Sequence, residues 1–456
     1  MKPTVRIAGW LLLSGILLLA PYTALLAQED DFADFEEEES SFDDSLFDED
    51  VESSFEDSIF DEDVFEEEIE ESKLEEDASN LETLIGSDFV FSSSWLQPVD
   101  FETYTMSSQF YGKVFAKAAY PDIVSVFVSY NFSIPLFQYT GNTAAYTGYP
   151  PSTLYAELSE LFMSFDVYKA VFFRLGYQLI AWGPSFFWTP VDFINRDKQD
   201  PLAQLDLRTG KPGAKITVPF TGSNLVLFFD FSRSIDDNST TASIADRTMA
   251  GARFDTVLLG YELGLSTYFG NGLTTLWGLD FSGVLFRADF YGEVAVSQGS
   301  NVQKARASAV PGTYELYYPQ DIVVATSLGL SKSFGEFKRW TVRGEAYFNS
   351  NGYGTDAPYS YLLVQDLYSP LYMGMLYGYL AVTKDDLFTE EIRGTFALLM
   401  NMLDPSFDLS GTLAFDIPNL IPFDVRLSFA GGDENREFTF FNGQALTLSV
   451  YTKISI

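Results

Sequence analysis

The segment Trp182–Gly210 is the stretch of the chain whose residue types could do chemistry outside a regular strand. Its acidic and amide side chains at Asp192, Asn195, Asp197 and Asp200 are hard oxygen ligands that could hold a cation. Their spacing is not that of a calcium loop, which requires a glycine near its centre. The side chains of Asp192, Asn195 and Asp197 can also hydrogen-bond to their own backbone and form successive turns. We therefore predict no metal site and interpret these groups as builders of a compact loop.

Histidine and cysteine are both absent from the 456 residues, and this excludes several kinds of active site. Without histidine there is no imidazole general base of the kind that enzymes cleaving lipids or peptides commonly use. Without cysteine there is no thiolate nucleophile, no Cys/His zinc site and no disulfide. No glycine-rich phosphate loop occurs between a strand and a helix. We predict no enzyme activity, no catalytic residues and no cofactor.

The elements around Trp182–Gly210 alternate between apolar and polar residues. In the strand that precedes it, Phe173 and Leu175 share one face, whereas Arg174 and Gln178 share the other. Because successive strand side chains point to opposite faces, one face can contact lipid while the other lines a polar lumen. This pattern predicts an all-β fold, a transmembrane antiparallel β-barrel.

Seventeen alternating segments lie within residues 108–456, which we assign to the barrel. Single-chain bacterial barrels close with even numbers of strands. Either one segment is a split strand or a strand near Phe89–Tyr104 is missed, so we predict about sixteen strands, with roughly fourteen to eighteen allowed. Residues 80–107 are assigned to a connector. Aromatic clusters near segment ends, such as Phe186–Trp188 and Tyr317–Tyr318, are interpreted as girdles at the lipid interfaces.

Charged residues keep to the inward phase of several predicted strands. A charge on the lipid face near the midplane costs about 2–4 kcal/mol, which explains this phase. It places the following side chains on the lumen wall: Arg174, Gln178, Arg343, Glu345, Arg393 and Arg426. Two interpretations stay open. These residues either pair across the lumen and hold it shut or stiff, or they line a path for solutes.

The segment Trp182–Gly210 is predicted to fold into the barrel. Its three prolines forbid a regular strand ladder, since proline has no N–H to donate. One interpretation is a constriction or plug held by Arg174, Arg208 and the acidic residues. The other is a selectivity ring or a platform for solutes. The candidate residues in this segment are Trp182, Trp188, Asp192, Asn195, Asp197 and Arg208.

One part of the chain resembles a known family. The matching residues are Arg174, Leu175, Gly176, Gln178, Trp182 and Gly183, then Thr189, Pro190, Asp192, Ile194, Asn195 and Asp197, then Asp200, Pro201, Leu202 and Arg208. In this pattern the chain resembles an uncharacterised family of porin-like bacterial outer-membrane barrels. The family favours proline after the asparagine, where this chain has Arg196. The resemblance implies a porin-like β-barrel.

The first 79 residues divide into two segments, a secretory signal and an acidic tail. Basic residues and an apolar run lead to small residues ending at Ala27, which is the layout of a secretory signal, so we predict a signal peptide over residues 1–27. Residues 28–79 form an acidic low-complexity tail with 27 acidic residues against a single lysine. The tail contains the tandem repeat Glu39–Val51 and Glu52–Val64. Such a charge block is predicted to be disordered in isolation.

Two interpretations of the acidic tail stay open. It is either a solvated spacer or, because its phenylalanines are regularly spaced, a tether for a basic periplasmic partner or a chaperone. At the other terminus, the alternating segment Leu446–Ile456 resembles the C-terminal signal read by the barrel-assembly machinery, with Ile456 in place of the usual aromatic. The predicted partners are therefore the outer-membrane lipid bilayer, the assembly machinery and a protein bound by the tail, with no nucleic acid.

Two classes of function remain after these exclusions. The first is a porin-like channel or transporter for small solutes in the outer membrane, with residues 182–210 as its constriction. The second is a non-conducting structural or interaction barrel that displays surface loops and docks a periplasmic partner through its acidic tail. Both place the N-terminal tail in the periplasm.

Overall fold

The computed structural model describes residues 81–456, except 122, 142–153, 196, 197, 199, 237–242, 311, 336–338 and 355–356. The predicted signal peptide, the acidic tail and Asp197 lie outside the described residues. No helix in the described part of the chain is long and apolar enough to cross a membrane.

Twenty strands form the described part of the fold, and eighteen of them make one antiparallel sheet. The strands are β1 (Glu82–Pro98), β2 (Tyr104–Tyr120), β3 (Val124–Gly141), β4 (Tyr155–Val167), β5 (Val171–Gln178), β6 (Lys211–Phe220), β7 (Ser223–Asp230), β8 (Met249–Leu258), β9 (Tyr261–Gly270), β10 (Leu276–Leu285), β11 (Ala288–Gln298), β12 (Lys304–Ala307), β13 (Tyr314–Tyr317), β14 (Ile322–Phe334), β15 (Trp340–Asn349), β16 (Leu376–Lys384), β17 (Ile392–Asn401), β18 (Ser406–Phe415), β19 (Phe423–Gly431) and β20 (Ala445–Ser455). Strands β12 and β13 pair only with each other.

The eighteen-stranded sheet closes on itself, which confirms the predicted β-barrel. Each barrel strand pairs with its neighbours in sequence, and β1 pairs with both β2 and β20. The count is eighteen rather than about sixteen, because β1 lies within residues 80–107, the range assigned to a connector. A strand near Phe89 was one of the two explanations for the odd number of segments, and the structure supports that one. The barrel thus begins at Glu82 and not at residue 108.

The barrel is polar inside and apolar outside. On β4, Glu160 is buried, whereas the next residue, Leu161, is exposed. On β10, Asp280 has the inward phase and is buried. Its sequence neighbours Leu279 and Phe281 have the outward phase, and Leu279 is exposed. In a water-soluble barrel these preferences would be reversed, because exposed large apolar side chains are disfavoured in water. Lipid around the outer face accounts for the pattern.

The two ends of the barrel differ in the lengths of their connections. At one end, the short-turn end, the strands are joined by connections of two to seven residues, and both residues of the Leu259–Gly260 and Phe286–Arg287 turns have positive φ. This is the hairpin geometry that matches the twist of the flanking strands. At the other end, the long-loop end, the connections include residues 179–210 and 350–375. Strand alternation places the first described residue, 81, and the last residue, 456, at the short-turn end.

Short helices in the described residues lie in the long connections. They are α1 (Ser232–Asp236) and α2 (Ile244–Arg247) after β7, α3 (Tyr359–Val364) after β15, and a 3₁₀ helix (Glu437–Thr439) after β19. The buried Glu437 carboxylate ties the connection after β19 to the connection after β15 and to strands β16 and β17. It accepts hydrogen bonds from the Leu371 N–H at 2.7 Å, the Tyr377 hydroxyl at 2.6 Å and the Asn401 amide at 2.7 Å. Burial raises the pKa of Glu437.

Candidate functional site

The connection between β5 and β6, residues 179–210, is named here the inner loop. Its middle reaches β15, which lies eight strands from β5 around the eighteen-stranded barrel, close to the opposite wall. There the Glu345 carboxylate of β15 accepts backbone N–H groups from Phe186 at 3.1 Å, Phe187 at 3.1 Å and Trp188 at 2.7 Å. The Tyr291 hydroxyl donates to the same carboxylate at 3.1 Å. The inner loop therefore crosses the interior of the barrel.

A second inward carboxylate, Glu293 of β11, holds the inner loop on either side of these contacts. It accepts the Ser185 N–H at 2.9 Å and the Val191 N–H at 3.0 Å. The Ser185 hydroxyl also lies 2.7 Å from the hydroxyl of Ser327 on β14. Glu293 is 1% exposed and Glu345 is 4% exposed, so both carboxylates are removed from solvent. Between them the two side chains accept five backbone N–H groups of the inner loop, which makes them its anchors on this wall.

Aromatic packing surrounds the Glu345 contacts. Trp188 is fully buried, with its ring 5.7 Å from that of Tyr347 and 5.8 Å from that of Tyr377. The Phe187 ring lies 4.9 Å from the Tyr379 ring. The Trp188 indole N–H donates to the Leu371 carbonyl at 2.8 Å, so its polar atom is satisfied inside the cluster.

The interpretation of Phe186–Trp188 as a lipid-interface girdle is therefore wrong. These residues pack inside the barrel because their backbone N–H groups are bound by Glu345. The same interpretation fails for Tyr317, which lies in the separate β12–β13 hairpin with the Arg306 guanidinium 4.7 Å from its ring. An aromatic residue near the end of an apolar segment can lie at a lipid interface or pack within a loop, and its position in the sequence does not distinguish the two.

In the second half of the inner loop, charged and amide side chains of the loop bind to one another. Asp192 is buried, accepts hydrogen bonds from the Asn195 amide at 3.0 Å, and its carboxylate lies 3.8 Å from the Arg208 guanidinium. Arg208 also forms a 2.7 Å ion pair with Asp206, and the Lys198 amine donates to the Asp192 carbonyl. Burial raises the pKa of Asp192 and lowers that of Lys198, in each case against the attraction of the opposite charge.

The ends of the inner loop are fixed to β3 and β4. The Asn131 amide donates to the Leu207 carbonyl at 2.7 Å, and the Ser159 hydroxyl donates to the Arg208 carbonyl at 3.0 Å. At the start of the loop, the Leu179 N–H donates to Glu160 at 2.9 Å. The loop is thus bound to inward side chains at both ends and in its middle.

Several predicted site residues come together in the inner loop and several do not. Trp182, Trp188, Asp192, Asn195 and Arg208 belong to its packed or hydrogen-bonded core. Asp197 lies outside the described residues. The remaining residues are on the wall: Gln178 and Arg174 on β5, Arg343 and Glu345 on β15, Arg393 on β17 and Arg426 on β19. Of these, the structure joins Glu345 directly to the inner loop through hydrogen bonds.

The wall arginines lie within the first four residues of their strands, in the half of the barrel nearer the short-turn end. Arg174 has its guanidinium 4.4 Å from the Phe162 ring, and Arg343 lies 4.1 Å from the ring of Phe186 in the inner loop. Arg426 pairs with Asp408 at 3.3 Å. The ion pair of Arg393 with Asp385, at 2.6 Å, lies farther out, at the β16–β17 turn, and both side chains are 43% exposed.

Sequence reasoning missed Glu293 and Glu160, two further carboxylates that bind the inner loop. The signal that identified Glu345 was present at both positions. Each has the inward phase of its strand, and on β11 the neighbour Val294 is exposed on the lipid side. Applying the rule of inward charge to every strand would have found them.

A cavity of about 630 Å³ lies between the start of the inner loop and strands β7 to β10. Trp182, Gly183 and Pro184 form its inner side. On the wall, Arg253 is bound to Asp280 and to Asp255, each at 2.7 Å. The indole ring of Trp182 fills the space in front of Gly251, where a side chain would collide with it. The cavity is therefore polar on its wall side and reaches the inner loop.

Neither a protein-family model nor a curated protein sequence matches the chain. Solved structures do share its fold. The crystal structure of Pseudomonas aeruginosa OccK2 (OpdF) in complex with glucuronate matches with a TM-score of 0.51 and 11% identity, over 82% of this chain and 98% of that one. A BenF-like porin from Pseudomonas fluorescens Pf-5 matches with a TM-score of 0.50 and 10% identity, over 82% of this chain and 98% of that one. The chain therefore has the fold of a bacterial outer-membrane porin.

Proposed function

We propose that this protein is an outer-membrane channel for small solutes whose lumen is narrowed by the inner loop. The observation that carries the proposal is a closed barrel with a polar interior that the inner loop crosses from β5 to β15. Barrels of this size leave an aqueous channel unless something fills them. The inner loop is fixed at both ends and in its middle, so it narrows the channel at a constant position.

The part of the lumen wall formed by β5 and β6 is proposed to favour solutes that carry negative charge. Arg174 of β5 lies directly opposite Lys215 of β6 in the strand register. Two adjacent positive charges on the wall attract a small anion. Glucuronate, bound by the OccK2 structure of the same fold, is a small organic anion. Small carboxylates are therefore the first solutes to test.

The barrel is proposed to lie in the outer membrane with the acidic tail in the periplasm. Both described chain ends lie at the short-turn end, where the Ile456 N–H bonds to the Ser87 carbonyl at 2.9 Å. Outer-membrane barrels have short periplasmic turns and longer extracellular loops. The chain that precedes residue 81 then starts on the periplasmic side.

Charge on the lumen wall is expected to set ion selectivity. Replacing Arg174, Arg343 and Arg426 together with glutamine should shift the reversal potential in a salt gradient towards cation preference, because three positive charges leave the wall. The control is Arg306→Gln on the β12–β13 hairpin, where the side chain is 60% exposed and paired with Glu315. Planar-bilayer recording measures both. A conducting variant with unchanged selectivity contradicts the proposed path, and a native protein that never conducts favours the interaction barrel.

The acidic tail is proposed to be dispensable for the barrel and to bind a basic periplasmic partner. A variant that lacks Glu29–Ser79 is expected to insert and conduct, because every barrel strand follows the tail in sequence. Crosslinking from the intact tail should capture a partner that is lost when Phe42, Phe47, Phe55 and Phe60 become serine while every acid is kept. If the crosslinked proteins stay the same, the aromatics carry no recognition and the tail acts as a spacer.

A further inference from the structure

We propose that Glu293 and Glu345 are the positioning residues that fix the inner loop across the lumen, so that two carboxylates on the barrel wall set the pore width. This inference rests on the proposed channel function and assigns that role to particular wall residues. It differs from the sequence-based expectation, which gave the task to Arg174, Arg208 and the acidic residues of the loop. In the structure, Arg208 bonds within the loop, to Asp206 and Asp192.

The hydrogen-bond pattern separates these two residues from ordinary wall charges. Together they accept backbone N–H groups from five inner-loop residues: Ser185, Phe186, Phe187, Trp188 and Val191. The three consecutive donors at residues 186–188 converge on one carboxylate. Without that acceptor, buried N–H groups would have no partner, and a buried donor without a partner is costly. Docking of the loop therefore depends on the wall carboxylates.

The loop contributes backbone N–H groups to these contacts, so most of its side chains are not constrained by them. The exception is Gly183. Gly183 has a φ of +98°, and a Cβ at this position would collide with the Glu293 carboxylate. A side chain there would displace Glu293 or lift the loop, and its backbone conformation would also be strained. A substitution at Gly183 therefore disturbs the Glu293 contact by a change in the loop rather than in the strand.

Glutamine is the informative replacement for either glutamate. It keeps the shape of the side chain but exchanges one acceptor oxygen for an NH₂ group. At Glu345 both carboxylate oxygens accept N–H groups from the loop, so the new NH₂ group must face a donor in either orientation. The bound loop then loses contacts while the strand keeps its packing.

The test compares Glu345→Gln, Glu293→Gln and Gly183→Ala with the native channel in planar bilayers. Each variant is expected to show higher single-channel conductance, or added wide-open substates, shifted towards the value of a channel whose loop has been deleted. The double variant Gly183→Ala/Glu293→Gln should shift no further than the larger single change, because both act on one contact. The matched control is Glu262→Gln, an inward glutamate bound to Ser282 at 3.0 Å.

The possible outcomes separate the inference from the function on which it rests. If loop deletion widens the channel but the glutamine variants conduct like the native protein, the loop is held by other contacts and the inference is wrong. If loop deletion itself changes nothing in an assembled barrel, the proposed constriction is wrong. Should a glutamine variant fail to assemble, as judged by heat-modifiable migration on gels, the Gly183→Ala result decides, since that change lies outside the strands.

Discussion

Deletion of Ser185–Gln204 is expected to raise the single-channel conductance several-fold and to admit larger solutes. The deleted residues include Phe187 and Trp188, which pack against inward side chains of β15 and β16. An empty eighteen-stranded barrel leaves an aqueous channel. Removing the segment that crosses the lumen enlarges the open cross-section of the channel. Ion conductance rises with that cross-section. Planar-bilayer recording gives the conductance, and liposome swelling with sugars of increasing size gives the exclusion limit.

A deletion of similar kind at the long-loop end serves as the control. Removing residues 307–314 takes away the tip of the β12–β13 hairpin, next to the exposed pair Arg306 and Glu315. This variant should conduct like the native channel. If the variant without Ser185–Gln204 assembles and its conductance stays native, the inner loop lies outside the conducting path.

The barrel was predictable because its signal is local. Within β15, Arg343 and Glu345 have the inward phase that the sequence predicts, and the intervening Gly344 has the outward phase. A residue two positions along a strand returns to the same face, so ten residues are enough to assign both faces. The same rule gave the inward phase of Arg174 and Arg426.

Strand β1 was missed because its alternation is interrupted. Ser92, Ser93 and Ser94 are three polar residues in a row, although Ser93 has the outward phase. Pro98 then ends the strand. The pairing of β1 with β20 links residues more than 350 positions apart in sequence, such as Asp88 and Ser455, and no local pattern reports it.

The anchors of the inner loop could be predicted only in part. Inward phase places Glu345 on the wall, but its partner, the Trp188 N–H, is 157 positions away in sequence. Every residue except proline carries a backbone N–H, so the donors leave no mark in the sequence. Within the loop, the sequence predicted that Asp192 and Asn195 bond to their own backbone, and in the structure these two side chains, three positions apart, bond to each other. The local pattern thus indicated a compact loop but not its partners, and it carried no sign of the long-range docking.

Trp188→Ala is expected to release the inner loop while the barrel stays closed. Trp188 is fully buried between Tyr347 and Tyr377, and replacing such a side chain with alanine costs about 3–5 kcal/mol. The cost falls on docking of the loop, because the strands keep their backbone pairing. Trypsin should then cut the folded protein after Arg196 or Lys198, at a rate far above that of the native protein. Mass spectrometry of the fragments locates the cut.

The matched control is Trp277→Ala, a tryptophan on the outer face of β10 that is 56% exposed and lies outside the inner loop. This variant should resist trypsin at residues 196 and 198 as the native protein does. Heat-modifiable migration on gels shows whether each barrel is closed. If Trp188→Ala leaves a closed barrel whose inner loop is cut no faster than in Trp277→Ala, the aromatic cluster does not hold the loop. The hydrogen bonds from its backbone to Glu293 and Glu345 then suffice without the Trp188 ring.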